Sequence, residues 1–249
     1  MTQAGLPITK HMNERVKIID MGRTQIYEND EVLGCASMFS GAPAFAFADP
    51  LPNIPVTAMT RLQLDLLLAG RSIDLTAVGE VILSDAGATL QMFRLIGEEH
   101  RDQTNRPTSI EECIISLDAN RWYDAVCATG IAHNNDAVLL EWQRLRRVAR
   151  CAREIARGTY GFSPEQAYMV GLLHNLGSFP KLLGWENGVS SPMEQNALGV
   201  MLAEYWNLPG YLVDAIWEQQ QTRENESHWA SILRQAHEMA RQIEESSNR

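Results

Sequence analysis

The sequence predicts an all-α domain preceded by a short N-terminal segment of different character, and three observations carry that prediction. From Val56 onward apolar residues recur at steps of three and four, the spacing that lines one helix face. Helix-start signals stand at Ser109, Ser163 and Ser191, where a capping hydroxyl is followed by Glu112, Gln166 or Glu194 three residues on. No run after residue 50 alternates as a half-buried strand does, so the elements left to build the core are helices.

Residues 1–48 read differently. Val16 to Asp20 and Thr24 to Glu28 are short β-favouring runs, and Ala44 to Ala48 alternates Ala with Phe, a pattern that fits either a hairpin or a short helix. Three prolines in Asp49-Pro50-Leu51-Pro52-Asn53-Ile54-Pro55 disfavour helix at each preceding position, which sets a boundary at residue 49. Beyond it Met59, Leu62, Leu66 and Ala69 line one face of a first helix that Gly70 ends. Leu75, Val78 and Ile82 mark a second, and Ala86, Leu90, Phe93 and Gly97 a third. The polar run Glu98 to Arg106 is a loop closed by Pro107, and the capping box of Ser109 and Glu112 starts the next helix near Ile110. A long helix spans about Asp136 to Arg157 and stops at Gly158. Ser163-Pro164 and Ser191-Pro192 place Pro at the first helical position, where its missing N–H costs nothing. The last helices run roughly Pro192 to Trp206, Pro209 to Gln221 and His228 to Glu245, the last with Trp229, Ile232, Ala236, Ala240 and Ile243 on one side.

Composition narrows the function classes. The 249 residues are 45% hydrophobic and 21% charged, enough for a real core and unlike a disordered chain. Lys and Arg number 21 against 31 Asp and Glu, a net charge of -10, so the whole molecule is repelled by nucleic acid and anionic membranes. The uncharged stretch Val32 to Ala48 holds Gly34, Gly41 and Pro43 and falls short of the ~20 apolar residues of a spanning helix. With no export signal legible at the N-terminus, the expected compartment is the cytoplasm. Cys35, Cys113, Cys127 and Cys151 lie far apart without a Cys-x-x-Cys pair, and read as small buried apolar residues rather than a zinc site or disulfide frame. Trp185 sits in a loop, Gly184-Trp185-Glu186-Asn187-Gly188, where packing against the helix after Ser191 competes with a lid or contact role.

Among six histidines, His174 stands out in Gly171-Leu172-Leu173-His174-Asn175-Leu176-Gly177, a polar pair in an apolar run with glycines at both ends. A lone His there is either a hydrogen-bonded core residue or a metal ligand. Taken with Leu51-Pro52-Asn53-Ile54-Pro55, Ser84-Asp85 between helices, Thr108-Ser109-Ile110-Glu111-Glu112-Cys113-Ile114, Leu198-Gly199 and Tyr205-Trp206-Asn207-Leu208-Pro209, that run resembles the HDOD family over about residues 50–221. The resemblance implies an HD-like multi-helix domain over residues 49–249, closed by the helix at 228–245, and a bacterial signalling or output module related to the HD phosphohydrolases.

Catalytic HD relatives bind one or two metal ions through a His, a His-Asp pair and later His or Asp residues. Such a set must neutralise the cation and leave room for water and a phosphate oxygen. By that resemblance the first ligand position falls near Arg144, which has no lone pair to give. The pair becomes His174-Asn175, and the later positions fall at Gln195, Gln219 and Gln220. One imidazole with amides and a guanidinium is a poor metal site, so no metal ligand, catalytic residue or cofactor is assigned. Two readings stand for Arg144, His174, Asn175, Gln195, Gln219 and Gln220: a buried cluster that fixes packing, or a pocket for a small anion or nucleotide.

The helix from Glu141 to Arg157 carries six arginines against two glutamates, and Arg146, Arg150, Arg153 and Arg157 share one face. That face is either solvated and paired with acidic neighbours or a patch for an acidic partner or phosphate-bearing ligand. Nucleic acid is disfavoured, because no aromatic residues interleave with the arginines. The expected function is regulatory and non-catalytic, through contacts with signalling proteins in trans, with a small anionic ligand or nucleotide as one form of input. The competing class is a metal-dependent phosphohydrolase with an unconventional site. Residues 1–48 are too few for a receiver or kinase-like module, and Val32 to Ala48 is a candidate docking segment or homodimer arm.

Overall fold

Capping side chains set the helix starts. Asp74 accepts from the backbone N–H groups of Thr76 and Ala77 and opens one helix, and Asp85 does the same for Gly87 and Ala88. Ser109 and Glu112 form the reciprocal capping box, and the Ser163 hydroxyl accepts from Gln166 N–H with Pro164 at the first helical position. The computed structural model describes residues 16–20, 23–27, 45–48, 54–100, 107–127, 136–185, 192–219 and 228–247. It divides into two compact units, Met1–Pro52 and Asn53–Arg249.

In the first unit, β1 (Val16–Asp20), β2 (Arg23–Tyr27) and β3 (Phe45–Ala48) form an antiparallel sheet of order β2-β1-β3. Strand β1 pairs Val16 with Tyr27 and Asp20 with Arg23 on one edge, and Val16 with Ala48 and Ile19 with Phe45 on the other. The sheet decides between the two conformations open to these runs: they are strands. Of the stretch Val32 to Ala48, only β3 lies within the described residues.

The second unit is helical: α1 (Ala58–Leu68), α2 (Leu75–Leu83), α3 (Ala86–Glu99), α4 (Ile110–Ser116), α5 (Ala119–Cys127), α6 (Asp136–Arg157), α7 (Pro164–Leu173), α8 (Phe179–Leu182), α9 (Pro192–Tyr205), α10 (Gly210–Glu218) and α11 (His228–Ser247). A short 3₁₀ turn at Leu176–Ser178 joins α7 to α8. The all-α expectation holds for this unit. Helices α5 and α8 go beyond the sequence reading. Leu117 turns extended between α4 and α5, and Asp118 then accepts from Asn120 and Arg121 N–H to start the second helix.

Helix α6 runs through the middle of the packing, with α7 and α11 laid against it. It buries Val138, Trp142, Leu145, Val148, Ala149, Ala152 and Ala156 at helical spacing. Small residues set the α6–α7 approach, since a Cβ on Gly171 would lie 2.6 Å from the Ala149 Cα. Helix α9 ends at Asn207, whose φ of 50° is the left-handed conformation an Asn tolerates. There Leu208 N–H donates to Ala203 O and Asn207 N–H to Glu204 O, closing the helix before Pro209. The indoles of Trp185 and Trp206 meet edge to face at 6.5 Å, so the loop Trp185 packs at the end of α9. Cys113, Cys127 and Cys151 are buried free thiols.

A buried carboxylate ties the chain entering the helical unit to α3. Asp85 accepts from Thr57 N–H at 2.7 Å and the Thr60 hydroxyl at 2.8 Å as well as from its own helix start. Gln91 Nε2 donates to Ile54 O at 3.1 Å beside it. The consequence for α1 reverses the face its periodicity suggests. Thr60 and Leu64 point inward, and Met59, Leu62 and Leu66 are 60%, 52% and 67% exposed. The stripe on α11 also ends early, with Ile232, Ala236 and Ala240 buried and Ile243 exposed.

Candidate functional site

Helix α7 ends at His174, which is its C-cap, and the chain turns through Asn175 into the 3₁₀ turn. Gly177 makes the turn fit, because a Cβ there would collide with the Gln195 carbonyl of α9. The glycines flanking the histidine therefore have separate tasks: Gly171 admits α6, and Gly177 admits α9.

His174 is 5% exposed. Its Nδ1 lies 2.9 Å from Gly171 O, and a carbonyl only accepts, so Nδ1 carries the proton and Nε2 a lone pair. The Nε2 of His237, on α11, lies 3.0 Å from that lone pair and donates to it, with the rings crossed at 76°. Asn175 Nδ2 donates to Glu141 Oε1 at 2.8 Å. Arg144 grips the same carboxylate with two bonds, Nε to Oε2 at 2.9 Å and Nη2 to Oε1 at 2.7 Å. Gln219, the C-cap of α10, donates from Nε2 to His174 O at 3.0 Å. Four elements, α6, α7, α10 and α11, thus meet in one polar cluster.

The electrostatics follow from that geometry. Burial acts to raise the Glu141 carboxyl, and the hydrogen bonds from Arg144 and Asn175 outweigh it, holding the group below the usual carboxylate range. Its hydrogen bond to Glu141 raises the Arg144 guanidinium further. Burial, then the neighbouring His237, push His174 down to about 3, against the opposing bond to Gly171. Burial and then Arg144 lower His237, with Glu141 opposing. At neutral pH the two imidazoles are neutral, and the charge in the cluster is the Glu141–Arg144 pair.

Of the six residues singled out from the sequence, Arg144, His174, Asn175 and Gln219 come together here. Gln195 reaches the same turn through its backbone carbonyl and makes none of the cluster's hydrogen bonds. Gln220 lies outside the described residues. Glu141 and His237 were not among the candidates, although each left a trace. Glu141 stands three residues before Arg144, the spacing of a helical ion pair, and His237 stands four after the buried Leu233.

A metal ion of the HD kind does not fit these residues. The His174 lone pair is occupied by a proton from His237, and both Glu141 oxygens are occupied by Arg144 and Asn175. Among the described residues no group of three or more His, Cys, Asp or Glu is arranged to hold a metal ion.

The arginine face of α6 is divided. Arg153 lies over the Tyr168 ring at 4.2 Å, and Arg157 pairs with Glu154 at 2.6 Å. Arg147, beside the face, pairs with Glu244 of α11 at 2.8 Å. Among the described residues Arg146 and Arg150 meet no carboxylate, and Arg150 is exposed.

This helical architecture is that of an HD-like multi-helix domain. The chain belongs to the HDOD family: the HDOD domain model matches residues 51–191, more than half of its length. A similar solved structure is the MmoQ response regulator from Methylococcus capsulatus str. Bath, at TM-score 0.61 and 16% identity, covering 77% of this chain and 86% of that one. A fragment of the same regulator gives TM-score 0.59 with 76% and 84% covered, also at 16% identity. An HDOD domain protein from Geobacter sulfurreducens aligns over 76% of this chain and 72% of its own at 19% identity, with TM-score 0.31. No curated protein matches the chain. Among the described residues no helix is long and apolar enough to cross a membrane.

Proposed function

We propose that this HDOD protein is a non-catalytic signalling module that acts through protein contacts in trans, with the former metal position converted into an internal brace. The observation that carries the reading is the closed donor set. His174 is bonded to His237, Asn175 replaces the acidic member of the pair, and the Glu141 carboxylate is neutralised by Arg144. A cluster satisfied from within has no coordination site for a phosphate-bound metal, and it locks α7 and α11 against α6. The likeness in fold to a protein called a response regulator supports a signalling setting.

Elemental analysis of the purified chain, with phosphate release from nucleotides and cyclic dinucleotides measured in Mg²⁺, Mn²⁺ and Fe²⁺, tests this. The expected result is no stoichiometric metal and no turnover. Tightly bound metal, or hydrolysis that His174→Ala abolishes, overturns the reading in favour of a phosphohydrolase.

A further inference from the structure

The exposed side of α1 borders a groove of about 760 Å³ between α1, α2 and α6. Met59 and Leu66 form one wall, Val81 and Trp142 the other side, and Glu80 and Arg146 bring opposite charges to it. The volume falls in the ordinary range for a ligand cleft, but the apolar surface does not stop at the cleft. Leu62 lies between Met59 and Leu66 on the same exposed face, so the stripe continues along α1 outside it. A small molecule would fill the cleft and leave that stripe wet. An amphipathic helix, with anchors at steps of three and four, covers both.

Charge selects the kind of helix. Arg144, Arg147 and Arg157 of α6 each hold a carboxylate, and Arg153 is stacked on Tyr168. Arg146 and Arg150 stand one turn apart on the same face with no carboxylate among the described residues, and Arg146 is part of the groove wall. In a chain of net charge -10, these two arginines, unpaired among the described residues, outnumber the single Glu80 carboxylate at the cleft. We infer that the α1–α2–α6 groove is the docking site for an acidic amphipathic helix of a partner protein, its apolar side against Met59, Leu62 and Leu66 and its carboxylates toward Arg146 and Arg150.

This inference rests on the reading of the protein as a contact-based regulator, and the experiment separates the two. The full chain is screened against a display library of amphipathic helical peptides with apolar anchors fixed and the remaining positions randomised. Selected peptides are then measured by fluorescence anisotropy against the parent and against Leu66→Glu and Arg146→Glu. Both substituted residues sit at the surface of the groove, and circular dichroism confirms that the variants fold. The expected result is enrichment of Asp and Glu, with at least tenfold weaker binding for each variant. Enrichment of Lys and Arg, binders indifferent to both substitutions, or no binders at all overturns the inference. So does a concentration-dependent dimer of the parent that Leu66→Glu dissolves, which assigns the groove to a second copy. Phosphate release measured on the same samples reports on the regulatory reading alone: turnover sinks that reading, whereas failed peptide binding without turnover sinks only the groove.

Discussion

His174 and His237 share a single proton between their facing Nε2 atoms, and that arrangement makes the brace sensitive to acid. Both imidazoles are held below their ordinary value of 6.5 in the folded chain, and both return to it on unfolding. Below that value the unfolded chain binds more protons than the folded one, so stability is fully present above about pH 6.5 and falls as the pH drops. Arg144 adds to the resistance to protonation and Glu141 partly offsets it. Urea unfolding between pH 7 and pH 5 is expected to show a stability loss of up to about 1.4 kcal/mol per pH unit per proton, much reduced in the double variant His174→Gln/His237→Gln. Glu141, with its depressed carboxyl, loses its contribution in a lower window, as the pH falls below the ordinary carboxylate value of 4.5. The single variant His237→Ala leaves the His174 lone pair buried without a donor, and should cost about 1–3 kcal/mol at neutral pH. At Asp85 the stakes are comparable, since one carboxylate serves four donors. Asp85→Ala is expected to destabilise by about 2–4 kcal/mol in denaturant melts, and Asp85→Asn by less, because the amide oxygen keeps part of the set. His174 was legible in the sequence as an oddity in an apolar run. Its partner was not, because His237 follows it by 63 residues and no local spacing links them.

Among the elements, those with chemical punctuation were the ones the sequence exposed. Ser109, Ser163, Gly158 and Pro209 mark ends by capping, missing donors or chain reversal, and the long periodicity of α6 needs no context. Short α8 carries only Pro180 in its first turn, and α5 is announced only by Asp118. The face of α1 was misleading for a physical reason. Two threonines and a buried aspartate satisfy one another on its inner side beside Leu64, so Met59, Leu62 and Leu66 are turned outward. At the α6–α7 crossing the tight fit predicts intolerance to volume. Gly171→Val should cost about 1–3 kcal/mol or more by overpacking, read as a lower urea midpoint with an unchanged slope. The Arg147–Glu244 pair between α6 and α11 is partly exposed, so Arg147→Met should shift stability by no more than about 1 kcal/mol, and by less in high salt.

For the molecule as a whole, the cluster under α11 makes the last helix part of the core assembly rather than an appendage, although the family match ends at residue 191. Truncation before His228 removes His237 together with the buried Ile232, Leu233 and Ala236, and is expected to unfold the helical unit or leave it with a markedly lower thermal midpoint. A calorimetric scan decides the point: an unchanged midpoint would separate α11 from the fold. The cluster also has a consequence for how such a chain changes over time. Asn175→Asp would write a His-Asp pair into the sequence. In place it deletes the amide N–H that Glu141 accepts and sets a second carboxylate against the first, with one guanidinium between them. The acidic residue is therefore the disruptive one at this position, and opening the cluster to a metal ion requires Arg144, Asn175 and His237 to change together. Interlocked side chains of this kind act as a ratchet, in which no single substitution opens the cluster without first breaking it.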